Sequence, residues 1–136
     1  MAGYEKSGSS PFQSRSTRGR LAWIELCGRV RSLVVLANRE AGETVLCDDL
    51  TAPATELTIH LPDGHGFDLQ FDPDRNRVVC EFPHCPQFNR TLELSANAGS
   101  QVGKVTWTDL RTGAAASHDE IAGDLVRNLL IMTNDY

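Results

Sequence analysis

The chain has 136 residues, of which 40% are hydrophobic and 23% charged, the composition of a single globular domain. A domain of this size buries roughly two-thirds of the surface that its unfolded chain exposes, so it needs neither a metal nor disulfides to fold. No apolar run approaches the roughly 20 residues of a membrane span, and no secretory signal opens the chain. Composition therefore argues against a membrane protein and favours a cytoplasmic location.

The formal net charge of −5 is divided unevenly along the chain. Residues 1–20 hold four basic residues and one acidic residue, a local charge of +3, which leaves −8 for the remainder. Because a phosphate backbone binds to a basic surface, the acidic body is not expected to bind nucleic acid. Residues 1–18 are rich in Ser, Gly and Arg and have no apolar periodicity. We expect them to form a disordered basic tail, with one domain over residues 19–136.

The first predicted element is an amphipathic helix that begins near Arg20 and ends near Gly42. Apolar residues recur from Trp23 onwards at spacings of three and four, which is the pattern of a helix with one buried face. Ile24 and Val35 fall on a flank outside that stripe. Exposed apolar residues on a helix can mark a partner surface, although single ones are ordinary.

From residue 57 the apolar period falls to two, which is typical of strands with one buried face. Five strands are predicted, near residues 57–61, 67–71, 78–82, 88–95 and 104–110, with turns such as "PDGHG" and "DPDRN" between them. The alternating polar residues are expected to lie on an open, solvated face of the sheet. They are Thr58, His60, Asp68, Gln70, Arg77, Glu81, Thr91, Glu93, Thr106 and Thr108.

The last predicted element is a helix that opens at "SHDE". The hydroxyl of Ser117 can accept a bond from the backbone of Glu120, whose carboxylate can accept one from Ser117 in return, a capping box. Apolar residues then recur at helical spacing from Ile121 to Met132. The whole order predicts an α+β two-layer sandwich with an N-terminal helix, an antiparallel meander of about five strands and a C-terminal helix. Both helices are expected on one face of the sheet.

This order, over about residues 20–135, resembles the layout of frataxin-like folds. Frataxins carry an acid-rich first helix and adjoining strand for iron, whereas the first helix here bears Arg29 and Arg31 beside Glu25 and Glu40. Since fold does not imply function, the resemblance implies a topology and no activity.

Two cysteines and a histidine lie within "CEFPHC", residues 80–85, a composition that could supply half of a zinc site. Cys80 is in phase with the apolar residues of its strand, which predicts that it lies in the core. A structural zinc needs four ligands, usually as two close pairs, and Cys27 and Cys47 form no second pair. We therefore expect reduced cysteines and no bound metal or other cofactor.

Two further segments match ion or phosphate sites only in part. "DPDRN" places Asp72 and Asp74 as a calcium loop does, but Arg77 stands where that loop needs glycine. "GSQVGKVT", residues 99–106, lacks Ser or Thr directly after Lys104 and leads into a strand instead of a helix. Neither segment is expected to bind its ligand.

Catalysis requires titratable groups that converge, and the histidines are the candidates for such groups. His60 is expected on the open sheet face, with Asp68 or Gln70 on the paired strand, while His65 and His84 fall in turns. The leading hypothesis is a non-enzymatic protein-interaction module whose open sheet face or sheet edge binds a protein partner or a second copy. The alternative is a small enzyme or ligand-binding protein with a site built from scattered residues around the sheet, His60, His65 and His84.

Overall fold

The computed structural model describes residues 11–43, 46–51, 55–95 and 105–134. Two α-helices enclose a run of strands, and one short 3₁₀ helix, Pro86–Phe88, lies between the fourth and fifth strands. The elements in chain order are α1 (Pro11–Ala41), β1 (Cys47–Thr51), β2 (Glu56–His60), β3 (Gly66–Asp72), β4 (Arg77–Glu81), β5 (Arg90–Leu94), β6 (Thr106–Asp109), β7 (Ala115–Ser117) and α2 (His118–Asn134).

The described strands form one antiparallel sheet whose spatial order is their order in the chain, from β1 to β7. This confirms the predicted meander and adds two strands to the five expected. The added strands are the two edges, β1 and β7, and neither has a clear alternation of apolar and polar residues. The three residues of β7 are too few to show a period of two, and in β1 two aspartates stand next to each other.

Both helices pack on the same face of the sheet, as predicted. Every second residue of the central strands points into one core, which the inner stripes of α1 and α2 complete. Ring stacking joins the layers, because the rings of Trp23 and Phe71 lie parallel with centroids 5.4 Å apart. The largest fully buried side chains are those of Trp107, Phe67, Phe82, Leu26, Leu46, Leu57, Ile59, Leu69, Leu92, Ile121, Leu125 and Leu129.

Helix α1 starts earlier than the sequence pattern predicts. It begins at Pro11, a residue that the first turn of a helix tolerates. Residues 11–18, which the composition predicts to belong to a disordered tail, are therefore helical. Residues 1–10 lie outside the described residues. The predicted stop is confirmed, since Gly42 has φ 74° and its N–H donates to the carbonyl of Arg39 at 3.2 Å.

Near its start, α1 touches the turn between β3 and β4. Gly19 is buried there, and a Cβ on it would lie only 2.0 Å from Oδ1 of Asn76. Asn76 holds the turn in a left-handed conformation with φ 51°, and its carbonyl accepts the N–H of Leu94 at 2.9 Å. Glycine at position 19 therefore leaves room for the amide of Asn76, which a larger residue would displace.

The start of α2 confirms the predicted capping box. The backbone N–H of Ser117 donates to Oε1 of Glu120 at 2.9 Å, and the N–H of Glu120 donates to Oγ of Ser117 at 3.2 Å. Of the helices in the described ranges, neither combines the length and the apolarity that a membrane crossing demands.

Candidate functional site

The "CEFPHC" segment is a strand that runs into a turn. Cys80 is fully buried, as predicted, and burial raises the pKa of its thiol to about 12, so that it stays protonated near neutral pH. The N–H of Cys85 donates to the carbonyl of Phe82 at 3.0 Å, which closes the turn and leaves His84 exposed. Within the described residues, no group of three or more His, Cys, Asp and Glu side chains is placed to hold a metal ion.

Two of the three candidate histidines meet. The turn before β3 and the segment after β4 lie at the same end of the sheet, so the rings of His65 and His84 pack with centroids 4.0 Å apart. Asp63 accepts the backbone N–H of His65 at 2.9 Å, and its carboxylate lies 3.1 Å from Nδ1 of the same residue. The pKa of Asp63 is lowered, mainly because its carboxylate accepts the backbone N–H of His65 and next because it bonds to the His65 side chain.

His60 lies on the strand paired with that of Asp68, and Asp68 is its diagonal neighbour in the register. The direct cross-strand partner of His60 is Gly66, whereas Asp68 lies opposite Thr58 and accepts its hydroxyl at 2.7 Å. Nδ1 of His60 is 3.0 Å from the carbonyl of Leu61. The structure thus brings His65 and His84 together, whereas Nδ1 of His60 contacts the backbone of Leu61.

The open face of the sheet lies where the alternation predicts it, and many of its polar groups bond to one another. Besides the Thr58 bond, Nε of Arg77 donates to Glu93 at 2.9 Å. The hydroxyls of Ser95, Thr106 and Thr108 form a chain with steps of 3.0 Å. A ligand on this face would have to displace these bonds, which lowers its net gain.

A shallow depression of about 530 Å³ lies on this side of the sheet. It is lined by Arg77, Val79, Cys80, Glu81, Asn89, Arg90, Thr91, Leu110 and Arg111.

The calcium-like segment "DPDRN" forms a turn, in which Asp72 accepts the N–H of Asp74 at 3.0 Å as turn residues do. The phosphate-loop-like segment falls largely on residues 99–104, outside the described residues.

A charged network lies on the covered face of the sheet. Arg90 is opposite Cys80 in the register, and its guanidinium lies 3.8 Å from Oδ2 of Asp109 and 3.7 Å from Oδ2 of Asp124. The side chains of Arg90 and Asp109 are only 14% and 11% exposed. The network joins β5, β6 and α2. The sequence pattern does not predict this network, although Asp109 falls in phase with the buried Trp107 of its strand.

A second buried polar contact joins β6 to α2. The indole N–H of Trp107 donates to Nδ1 of His118 at 3.1 Å. Because the indole can only donate, the neutral imidazole carries its proton on Nε2, which finds no partner among the described residues. Burial lowers the pKa of His118, while Glu25 and Asp119 act to raise it and Arg29 acts to lower it.

His118 lines a cleft of about 360 Å³ at the start of α2. The charges of the cleft are largely engaged, because Arg29 donates to Glu25 at 3.3 Å and also binds Asp119. Glu25 and Arg29 are four residues apart on α1 and form an ion pair. The lining residues are Glu25, Arg29, Val105, Thr106, Ala115, Ala116, Ser117, His118, Asp119 and Glu120.

The side of α1 that points away from the core is apolar in its middle. Leu21, Ile24, Val35 and Leu36 are between 46% and 62% exposed, and Gly28 lies exposed between them. We call these five residues the outer face of α1. Two of them, Ile24 and Val35, are the pair that the sequence sets apart from the buried stripe.

Comparisons of the chain with protein-family models, with curated proteins and with solved structures find no match.

Replacing Arg90 tests whether the buried network stabilises the fold. Arg90→Met leaves the carboxylate of Asp109 buried beside no cation, which should lower the free energy of unfolding by about 3 kcal/mol. Arg77→Met removes a half-exposed pair with Glu93 and should cost no more than about 1 kcal/mol. Chemical denaturation measures both, and equal losses in the two variants would contradict a special role for the buried pair.

The burial of His118 predicts a dependence of stability on pH. Because its folded pKa lies below the unfolded value of about 6.5, the unfolded chain takes up the proton first as the pH falls. The free energy of unfolding should therefore fall below pH of about 6.5, by at most about 1.4 kcal/mol per pH unit from this group. His118→Gln keeps an acceptor for Trp107 and removes the titration. Denaturation curves that run parallel for both proteins from neutral pH to about pH 5 would refute the linkage.

Proposed function

We propose that this domain is a protein-interaction module that binds its partner through the outer face of α1. The observation that carries the proposal is the clustering of exposed apolar side chains. Six large hydrophobic residues are exposed in the described part of the chain, and Leu21, Ile24, Val35 and Leu36 all belong to that one face. They form two pairs on one side of the helix, Leu21 with Ile24 and Val35 with Leu36, one pair on either side of Gly28. Apolar side chains gathered on one helix face are typical of a contact site.

The fold does not need these side chains. The core is already closed by the opposite stripe of α1, in which Leu26 and Val30 are fully buried. Burying a large aliphatic side chain contributes about 1.5–3 kcal/mol, and the outer-face residues retain roughly half of that gain for a partner. Four such residues side by side supply a driving force for association of several kcal/mol before the entropy of binding is subtracted.

The function class is the one predicted from the sequence, a protein-interaction module. The proposed contact surface is the outer face of α1 instead of the open sheet face or a sheet edge. The open sheet face offers polar groups that are engaged with one another, as in the pairs of Thr58 with Asp68 and of Arg77 with Glu93. The outer face of α1 loses no such bonds when it is covered. The β7 edge of the sheet is less favoured, because it offers only three residues for a partner strand.

The alternative is a small enzyme or ligand-binding protein with a site at His60, His65 and His84. One observation favours it, the ring contact of His65 with His84 beside the carboxylate of Asp63. These groups lie in surface turns, and Asp63 and His84 are exposed, so water competes for both of them. The interaction module is therefore the better supported function, and the cytoplasmic location and the absence of nucleic-acid partners remain expectations from composition.

Site-specific photo-crosslinking in the cells that produce the protein tests the proposal. A photoreactive residue at position 24 or 35 should capture the same polypeptide from both positions, because both side chains would lie in one contact. Positions 110 and 131 are the matched controls, since Leu110 and Ile131 are exposed apolar residues on other elements. Capture that is equal at all four positions, or confined to the controls, would refute the assignment.

A further inference from the structure

We infer that the partner of the outer face of α1 is a second copy of this chain, packed antiparallel so that the two helices cross at Gly28. The inference rests on the proposed function and adds the identity and the orientation of the partner. A two-fold dimer buries the same patch on both subunits, so each favourable contact is made twice.

The spacing along the outer face suits helix pairing. Leu21, Gly28 and Val35 follow one another at intervals of seven residues, with Ile24 three residues after the first. Apolar positions at intervals of seven and three form the seam of paired helices, and here the later positions of the Ile24 series are polar, Arg31 and Asn38. Leu36 widens the seam, which extends for about 22 Å along the helix axis.

Gly28 marks the centre of the seam. It lies in the middle of a long helix, where glycine costs about 1 kcal/mol relative to alanine. Its own subunit gives no reason for that choice, because nothing lies within 4 Å of a Cβ built at this position. A second helix that crosses there can approach closely, since no side chain holds the backbones apart.

The charges around Gly28 distinguish the two orientations. In an antiparallel pair centred on Gly28, residues whose numbers sum to 56 lie at the same level. Leu21 then lies level with Val35 of the second copy, and Glu25 lies level with Arg31 of the second copy. A parallel pair would bring each of these charged residues level with its own like charge, which is destabilising. The antiparallel pair thus matches Leu21 with Val35 and Glu25 with Arg31, while Ile24 lies level with Ser32 and Leu36 lies level with Arg20 of the second copy.

The residues of opposite charge are also placed symmetrically about Gly28. Glu25 and Arg31 lie three residues to either side of it, so a two-fold axis at Gly28 brings each of them level with the opposite charge of the other copy. A self-complementary surface is matched best by its own copy rotated by 180°.

Sedimentation velocity of the full chain, from about 1 to about 300 µM, tests the inference, since dimers with Kd in this range change their monomer fraction across it. We expect a monomer–dimer equilibrium. Ile24→Glu should raise the dimer Kd at least about tenfold, because it places a carboxylate in the seam of both subunits. Ile131→Glu is the control, an exposed isoleucine on α2 replaced in the same way, and should leave Kd unchanged. Circular dichroism checks that both variants remain folded.

Disulfide trapping tests the orientation. In a background with Cys47→Ser and Cys85→Ser, the buried thiols of Cys27 and Cys80 react slowly, because burial raises the pKa of each to about 12. Mixing a Leu21→Cys protein with a Val35→Cys protein should trap mostly the mixed dimer. A parallel pair would instead trap dimers of each variant with itself.

Each contrary result has one meaning. A chain that stays monomeric at the highest concentration, or a dimer that Ile24→Glu does not weaken, overturns the inference. Trapping of Leu21→Cys only with itself overturns the antiparallel arrangement. If the chain is monomeric but positions 24 and 35 still capture another polypeptide in cells, the proposed function stands and only the identity of the partner is wrong.

Discussion

One-sided burial of the sheet is the constraint on which the rest of the structure depends. The central strands direct an apolar residue inward at every second position, so a single face must be kept from water. Two helices suffice to cover it, and α1 does so with the stripe that contains Trp23 and Leu26. Because this stripe and α2 together close the core, the apolar residues on the opposite side of α1 lie outside it. We propose a separate contact as the reason for their presence.

Polar groups within the covered layer fix how α2 sits on the sheet. Arg90 connects β5 with Asp109 on β6 and with Asp124 on α2, and the indole of Trp107 donates to His118 at the first turn of the helix. Apolar packing alone tolerates small shifts of a helix, whereas buried polar groups lose their partners when it moves. With α2 held in place, its Asp119 can bind Arg29 of α1, and the two helices are joined beside the sheet.

The sequence predicts those features that depend on local periodicity. The alternation of apolar residues gives the central strands and the side on which they are buried, and "SHDE" gives the start of α2. Features that depend on register and topology cannot be predicted in this way. The ion pair of Arg90 and Asp109 exists because β5 and β6 are adjacent and Leu92 lies directly opposite Asp109, and His65 meets His84 because two turns share one end of the sheet. The apolar character of the outer face was visible at Ile24 and Val35, but only the packed helix shows that nothing in the described chain covers it.

The most direct test of the central claim is hydroxyl-radical footprinting as a function of protein concentration. The claim is that the outer face of α1 is a contact surface and that the rest of the apolar surface is not. It predicts that Leu21, Ile24 and Leu36 become less reactive as the concentration rises, in step with association, while Leu110 and Ile131 keep their reactivity. Unchanged reactivity of the outer face at concentrations where the chain associates, or protection of Leu110 in its place, would contradict the account.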